Sequence, residues 1–187
     1  MIFRETKLAG AWMIEPERFA DERGFFTRLW SPGEFASHGL EVPSAHSSLS
    51  YNHRRGTLRG MHFQVAPYAE IKLVRCTRGI IYDVIIDLRT DSHTYGQWIG
   101  VELSAANQRQ LYIPQGFAHG FQTLADESEI LYQISAEYHP ASARGVRYSD
   151  PAFGINWPLD VTVINDRDRD YPLMEAQAGK SIPRDSD

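Results

Sequence analysis

The stretch from Leu58 to Gln64 places an arginine and a histidine three residues apart in an apolar, strand-like run. A guanidinium can hold a phosphate or carboxylate through two parallel hydrogen bonds, and an imidazole can transfer a proton near neutral pH. Because side chains alternate between the faces of a strand, Arg59 and His62 should point to opposite sides unless Gly60 sits at a bulge. The two groups therefore serve one site if the strand bends at Gly60, or if Arg59 reaches a different portion of the ligand.

Four further side chains lie in settings that are compatible with chemistry. His119 stands among glycine and aromatic residues, Lys72 and Tyr132 lie in apolar strand-like runs, and Asp168 belongs to an alternating charge run. Taken alone, each has an ordinary structural explanation: a hydrogen-bonded histidine, a solvated lysine, a core aromatic and a solvated acid. Individually these signals are weak.

Taken together, these residue types fit the removal and return of a proton at a carbon next to a ketone. The base would be a histidine oriented by a carboxylate, for which His62 and Asp168 are the candidates. Lys72 would stabilise the developing enolate oxygen, and Tyr132 would return a proton on the opposite face. Spacing along the sequence does not bring these groups together, so the fold must do so.

Two histidines on the inner strands of a barrel are also compatible with a bound metal ion. Metal-binding jelly rolls usually place two histidines one residue apart on one strand, with a carboxylate shortly after. Here His62 is followed by Phe63 and Gln64. We therefore expect no metal and no other cofactor.

The composition excludes several classes of protein. With 187 residues and a net charge of -5, the chain lacks the basic surface that a nucleic-acid binder needs, although a few arginines can still hold a small anion. The single cysteine, Cys76, excludes an internal disulfide framework and is typical of a reducing cytoplasm. No apolar run reaches membrane-spanning length, and the N-terminus lacks a signal-peptide core. We expect a soluble, cytoplasmic protein.

The elements that must position the candidate residues are predicted to be strands. Short extended runs closed by turn residues at intervals of about ten predict an all-β sandwich or barrel, with a jelly roll as the best match. Ser31 and Pro32 predict a short helix start, and the tail from Pro158 predicts loop with short helical turns. We expect one domain over 1–187 with an N-terminal arm and a C-terminal tail. Strands are predicted over 11–14, 25–30, 47–51, 57–64, 71–76, 80–88, 96–103, 109–113, 117–123, 129–135 and 145–148.

From about Ile14 to Leu173, the chain resembles the dTDP-4-dehydrorhamnose 3,5-epimerase family. The resemblance implies a cupin-like jelly-roll homodimer without a metal. It implies action on a nucleotide-linked 4-keto-6-deoxy sugar, with inversion of C3, C5 or both, in deoxysugar biosynthesis of the rhamnose type. The segments that carry the resemblance are 21–26, 58–64, 72–76, 95–98, 113–121, 150–151 and 155–158.

The resemblance also implies a role for each site residue. It assigns the catalytic base to His62, its partner carboxylate to Asp168, the acid to Tyr132 and the group near the keto oxygen to Lys72. It assigns contacts with the sugar nucleotide to a second set: Arg23, Phe26, Arg59, His119 and Tyr138. The chain differs from the family's common pattern at Arg28, 47–50, Ala143, Arg144 and Arg167.

Three alternatives stay open at this point. A related epimerase could act on a CDP- or GDP-linked sugar or invert a single centre. A metal-dependent cupin would hold a stoichiometric metal ion. A sugar-nucleotide binding protein without activity would bind the ligand but exchange no protons.

Overall fold

The structure, a computed structural model, describes residues 1–41 and 45–174. In that part of the chain it contains short strands and two short helices. None of the described helices is long and apolar enough to cross a membrane. The strands are β1 (Ile2–Glu5), β2 (Trp12–Glu15), β3 (Arg18–Asp21), β4 (Gly24–Thr27), β5 (His46–Asn52), β6 (Leu58–Gln64), β7 (Lys72–Arg78), β8 (Ile80–Asp87), β9 (Trp98–Ser104), β10 (Gln110–Ile113), β11 (Phe117–Thr123), β12 (Ser128–Ile134) and β13 (Ala143–Gly145), and the helices are α1 (Pro32–Ser37) and α2 (Asp166–Arg169).

Two antiparallel sheets form the body of the protein, and their arrangement is a cupin-like jelly roll. The first sheet has the strand order β1-β2-β10-β7-β12-β5, and the second has the order β13-β6-β11-β8-β9. Strands that are neighbours in a sheet are mostly distant in sequence, as in Greek-key connections. The predicted all-β fold is confirmed, whereas the prediction of one domain over 1–187 stays a prediction.

The main core lies between the two sheets and is built by the inward faces of their strands. Val74 and Ile130 come from the first sheet, and Ile81, Ile85 and Phe121 from the second; all five are almost completely buried. Alternation along each strand sends these side chains into the space between the sheets, which also holds Lys72, His119 and Tyr132, and sends the intervening side chains to the other face of each sheet.

The first helix begins as its sequence predicts, and two predicted strands differ from the structure by three residues at one end. Ser31 occupies the position before α1 and Pro32 is its first residue. The strand predicted over 25–30 ends at Thr27, which is paired with Arg18, the first residue of β3. The strand predicted over 145–148 lies instead at Ala143–Gly145, where β6 is available as a pairing partner.

Candidate active site

A cavity of about 340 Å³ opens between the two sheets. Arg59, His62 and His119 line it from β6 and β11 of the second sheet. Lys72 and Tyr132 line it from β7 and β12 of the first sheet. The fold therefore brings five of the predicted site residues to one cavity and divides them between opposite walls.

A bulge in β6 explains how Arg59 and His62 reach the same cavity. Arg59 is paired with Phe121 and His62 with His119, so three steps along β6 oppose two steps along β11. The extra residue reverses the alternation of side chains, as a β-bulge does. Gly60 lies within it at φ +127°, and a Cβ at this position would be 2.5 Å from the Cα of Gly120. The predicted bend at Gly60 is confirmed.

His62 is held by a carboxylate from the C-terminal helix. Its Nε2 lies 2.8 Å from Oδ1 of Asp168, whose Oδ2 accepts a hydrogen bond from the N–H of Gly60 at 2.9 Å. Asn165 caps the helix by accepting from the Asp168 N–H at 2.7 Å, which fixes the backbone of the acid. The Asp168 side chain is 1% exposed and that of His62 is 42% exposed. Asp168 is therefore fixed in the interior, and His62 is accessible from the cavity.

The protonation of this pair follows from its hydrogen bonds. Burial alone would raise the pKa of the Asp168 carboxyl, but the hydrogen bonds with His62 and Gly60 hold that pKa below its ordinary value. An ionised carboxylate only accepts, so Nε2 of His62 donates to it. Nδ1 is then the basic nitrogen, which is the arrangement that a general base needs.

Tyr171 and Gly145 support the ring of His62. The Tyr171 ring meets the His62 ring edge-to-face with centroids 6.0 Å apart, and its hydroxyl accepts from Nε of Arg167 at 2.8 Å. Gly145 is the strand partner of His62, and a Cβ there would lie 2.1 Å from Cζ of Tyr171. The absence of a side chain at residue 145 therefore makes room for the aromatic ring that packs against the histidine.

His119 has its own buried carboxylate. Its Nε2 lies 2.8 Å from Oδ1 of Asp83, and the two side chains are 5% and 0% exposed. The edge of the His119 ring meets Tyr132 with ring centroids 6.0 Å apart. Burial, reinforced by the charge of Asp83, raises the pKa of the Tyr132 hydroxyl well above its ordinary value. Tyr132 therefore keeps its proton at neutral pH and can act as an acid.

Lys72 points into the cavity and is almost buried. Its Nζ lies 3.0 Å from Oε1 of Glu70 and donates to the carbonyl oxygen of His62 at 3.3 Å. An ammonium has three N–H donors, so at least one is left for a ligand. A donor beside the histidine is suited to a developing enolate oxygen.

Apart from Glu70, the charged side chains on the rest of the cavity wall are arginines. Nε of Arg59 donates to Oδ1 of Asn52 at 2.7 Å, which orients the guanidinium, and Arg144 and Arg167 line the same cavity. Tyr138 lies at its edge and is 60% exposed. Such a wall suits an anionic ligand that also carries a flat ring.

Arg23 and Phe26 do not line the cavity of their own chain. They lie on the β3–β4 hairpin, which forms a separate two-stranded sheet. The Arg23 side chain is 85% exposed and pairs with Asp21, while Phe26 is 70% exposed. One chain therefore brings seven of the nine predicted site residues together and leaves these two outside.

Sequence reasoning missed three residues of the site. Asp83 could have been noticed as an acid in the middle of the apolar run of β8, and Glu70 as an acid two residues before Lys72. Tyr171 gave no signal, because its importance comes from packing against His62.

A metal-dependent cupin would need a cluster of metal-ligating side chains. Within residues 1–41 and 45–174, no three or more His, Cys, Asp or Glu side chains are grouped so that they could hold a metal ion. Of the three histidines that line the cavity, His62 and His119 each bond a single carboxylate.

Known proteins are similar to this chain in both sequence and fold. The family described as dTDP-4-dehydrorhamnose 3,5-epimerase matches residues 5–176. The chain belongs to this family. Within it, the dTDP-4-dehydrorhamnose 3,5-epimerase of Methanothermobacter thermautotrophicus is 45% identical, over 92% of this chain and 95% of the relative. The dTDP-4-dehydrorhamnose 3-epimerase of Streptomyces niveus is 37% identical, over 98% and 89% of the two chains.

A solved structure of the same family agrees with the fold. The dTDP-4-dehydrorhamnose 3,5-epimerase from Bacillus anthracis str. Ames, with TDP and PPi bound, superposes with a TM-score of 0.89 and 41% identity. The match covers 92% of this chain and 98% of the other. Membership in the dTDP-4-dehydrorhamnose 3,5-epimerase family confirms the predicted resemblance and the prediction that the chain is an epimerase, which is an isomerase.

Proposed function

We propose that the protein inverts C3, C5 or both in a dTDP-linked 4-keto-6-deoxy hexose, in deoxysugar biosynthesis of the rhamnose type. One observation carries this proposal. His62, oriented by buried Asp168, stands on one sheet and faces Lys72 and Tyr132 on the opposite sheet. A relative with TDP and PPi bound supports the choice of nucleotide.

In the first step, Nδ1 of His62 takes the proton from a carbon next to the C4 ketone. The electrons of the broken C–H bond move into the C4 carbonyl and form an enolate. The ammonium of Lys72 donates a hydrogen bond to the enolate oxygen, and Asp168 stabilises the imidazolium that has formed. Each group thus strengthens its contact as charge develops.

In the second step, the hydroxyl of Tyr132 returns a proton from the other wall of the cavity. The enolate collapses to the ketone, and the carbon now carries its hydrogen on the opposite face. The tyrosinate regains its proton from solvent, and His62 releases the proton that it took. The position of Tyr132 on the wall opposite His62 supports this role, and its hydroxyl is protonated at neutral pH.

The remaining predicted residues would bind the nucleotide. We assign the diphosphate to Arg59, with His119 nearby, and a face of the base or sugar to Tyr138. The support is their common position on the cavity wall.

Arg23 and Phe26 fit this function if the protein is a homodimer. Phe19 and Phe26, at 66% and 70% exposure, leave an apolar patch on the β3–β4 hairpin that a second copy would cover. We propose that the hairpin of one subunit completes the cavity of the other. A mixed dimer of Arg23→Ala and His62→Ala subunits tests this, because it regains one intact site only if Arg23 acts across the interface. Failure of the mixture to regain activity would contradict the arrangement.

Solvent exchange tests the reaction itself. In deuterium oxide, the protein should catalyse the incorporation of solvent deuterium into dTDP-4-keto-6-deoxyglucose at C3, C5 or both. His62→Ala should abolish exchange, Tyr132→Phe should slow inversion, and His53→Ala, an exposed control, should change neither. Absence of exchange with dTDP-, CDP- and GDP-linked 4-keto sugars would refute the proposal and leave a binding protein.

The number of inverted centres and the cellular location complete the proposal. The Streptomyces niveus relative is named a 3-epimerase, so exchange confined to C3 is an outcome that the same experiment recognises. We place the protein in the cytoplasm, with support from its single cysteine. Burial raises the pKa of the Cys76 thiol to about 11, which keeps it protonated and unreactive.

A further inference from the structure

The charged groups around the cavity are unevenly paired. Arg59, Lys72, Arg144 and Arg167 line it, and Glu70 is the one carboxylate among the described residues that do so. In the described part of the chain, the three arginines have no carboxylate within ion-pair distance, whereas Lys72 has Glu70. Only the cation beside the proton-transfer groups is therefore neutralised.

Glu70 is committed to this one cation. Its Oε1 lies 3.0 Å from Nζ of Lys72, and the side chains of the two residues are 7% and 11% exposed. Its Oε2 is enclosed and accepts no hydrogen bond from the described residues. The negative charge is thus not shared with another donor, and it acts on Lys72 and on the adjacent part of the cavity.

Four unpaired cations would attract a diphosphate without orienting it. A diphosphate drawn to Lys72 would occupy the space beside His62 where the sugar must react. A neutralised pair attracts an anion far less than a single charge does, because the fields of its two members largely cancel beyond a few ångströms. Lys72 nevertheless keeps its N–H donors for an oxygen of the sugar.

We propose that Glu70 is a positioning residue that cancels the charge of Lys72 and so directs the diphosphate of the substrate to the three arginines. This inference rests on the proposed function and deepens it, since it explains how the sugar, rather than the phosphate, comes to face His62. The burial of the pair is consistent with this role, because a buried ion pair contributes little to stability compared with apolar residues of similar volume.

The test compares two ligands on one substitution. Glu70→Gln keeps the shape of the side chain and removes its charge, so inorganic pyrophosphate should bind about tenfold more tightly by calorimetry. KM for the dTDP-4-keto sugar should stay constant or rise, because binding with the diphosphate beside Lys72 now competes with binding that places the sugar beside His62. The ratio of pyrophosphate Kd to sugar-nucleotide KM should therefore fall about tenfold or more.

Two further variants serve as controls. Glu102→Gln removes the same charge from an exposed position on β9 and should leave the ratio unchanged. Glu70→Asp keeps the charge and should retain most of the wild-type ratio of pyrophosphate Kd to sugar-nucleotide KM. This variant still tests the inference if Glu70→Gln folds poorly.

The outcomes separate the inference from its alternatives. Parallel tightening of both ligands would show a general electrostatic effect, and parallel weakening would show a structural role; either result overturns the inference. If the wild-type protein exchanges substrate protons with solvent but Glu70→Gln leaves the ratio of pyrophosphate Kd to sugar-nucleotide KM unchanged, the inference about Glu70 is overturned and the proposed function stands. Absence of exchange in the wild type refutes the proposed function and this inference with it.

Discussion

The replacement of Asp168 by asparagine should disable the proposed base while keeping the fold. The carboxylate accepts from Nε2 of His62 at 2.8 Å and from the N–H of Gly60 at 2.9 Å. An asparagine has only one acceptor, and if its oxygen stays with Gly60, its NH₂ group faces Nε2. Nε2 must then be the acceptor, so the proton moves to Nδ1 and blocks the nitrogen that the reaction needs.

The expected loss follows from these two hydrogen bonds. Rotating the amide to restore the active tautomer leaves the Gly60 N–H facing another donor, at a cost of about 1–3 kcal/mol. Loss of the charged partner of the imidazolium adds about 1.5–3 kcal/mol in the transition state. Together these effects correspond to a decrease in kcat/KM of about 10² to 10⁴.

The assay is deuterium incorporation into dTDP-4-keto-6-deoxyglucose, followed by mass spectrometry. Asp166→Asn is the matched control, because it makes the same change on the same helix at a side chain that is 87% exposed. Thermal melting establishes that both variants are folded. A folded Asp168→Asn variant with a rate within about threefold of the control would refute the role given to this carboxylate.

Three further predictions concern the surroundings of the base. Gly60→Ala should lower the free energy of unfolding by about 3 kcal/mol or more, since its φ of +127° and a Cβ 2.5 Å from the neighbouring backbone cannot be relieved cheaply. Denaturant unfolding would show this against Gly33→Ala, which has open space around it, and equal stability would contradict it. Asp83→Asn should raise KM about tenfold while exchange persists, because His119 loses the carboxylate that orients it; an unchanged KM would argue against this. The lowered pKa of Asp168 implies stability that is fully present above about pH 4 and lost as the pH falls through the folded-state pKa, so Asp168→Asn should flatten the decline of melting temperature below pH 4.

Local patterns in the sequence were enough to predict most of the elements. The alternation and β-branched residues around Ile80 predicted β8, and the Ser31-Pro32 pair predicted α1. These signals work because strand propensity and helix starts depend on neighbouring residues. Strand pairing is not local, and the error after Thr27 arose because β3, the partner of β4, begins at Arg18 opposite Thr27 and has no residue opposite 28–30.

The sequence by itself determined the chemical groups of the site: a histidine, a lysine, a tyrosine and an acid in suitable settings. The tertiary structure decided how they meet. His62 and Asp168 are 106 residues apart in the chain, and only the packing of α2 on β6 joins them. The bulge at Gly60 turns Arg59 to the side of His62, and separation of the β3–β4 hairpin keeps Arg23 out of its own cavity. These outcomes depend on pairing between distant strands, which residue type and spacing do not specify.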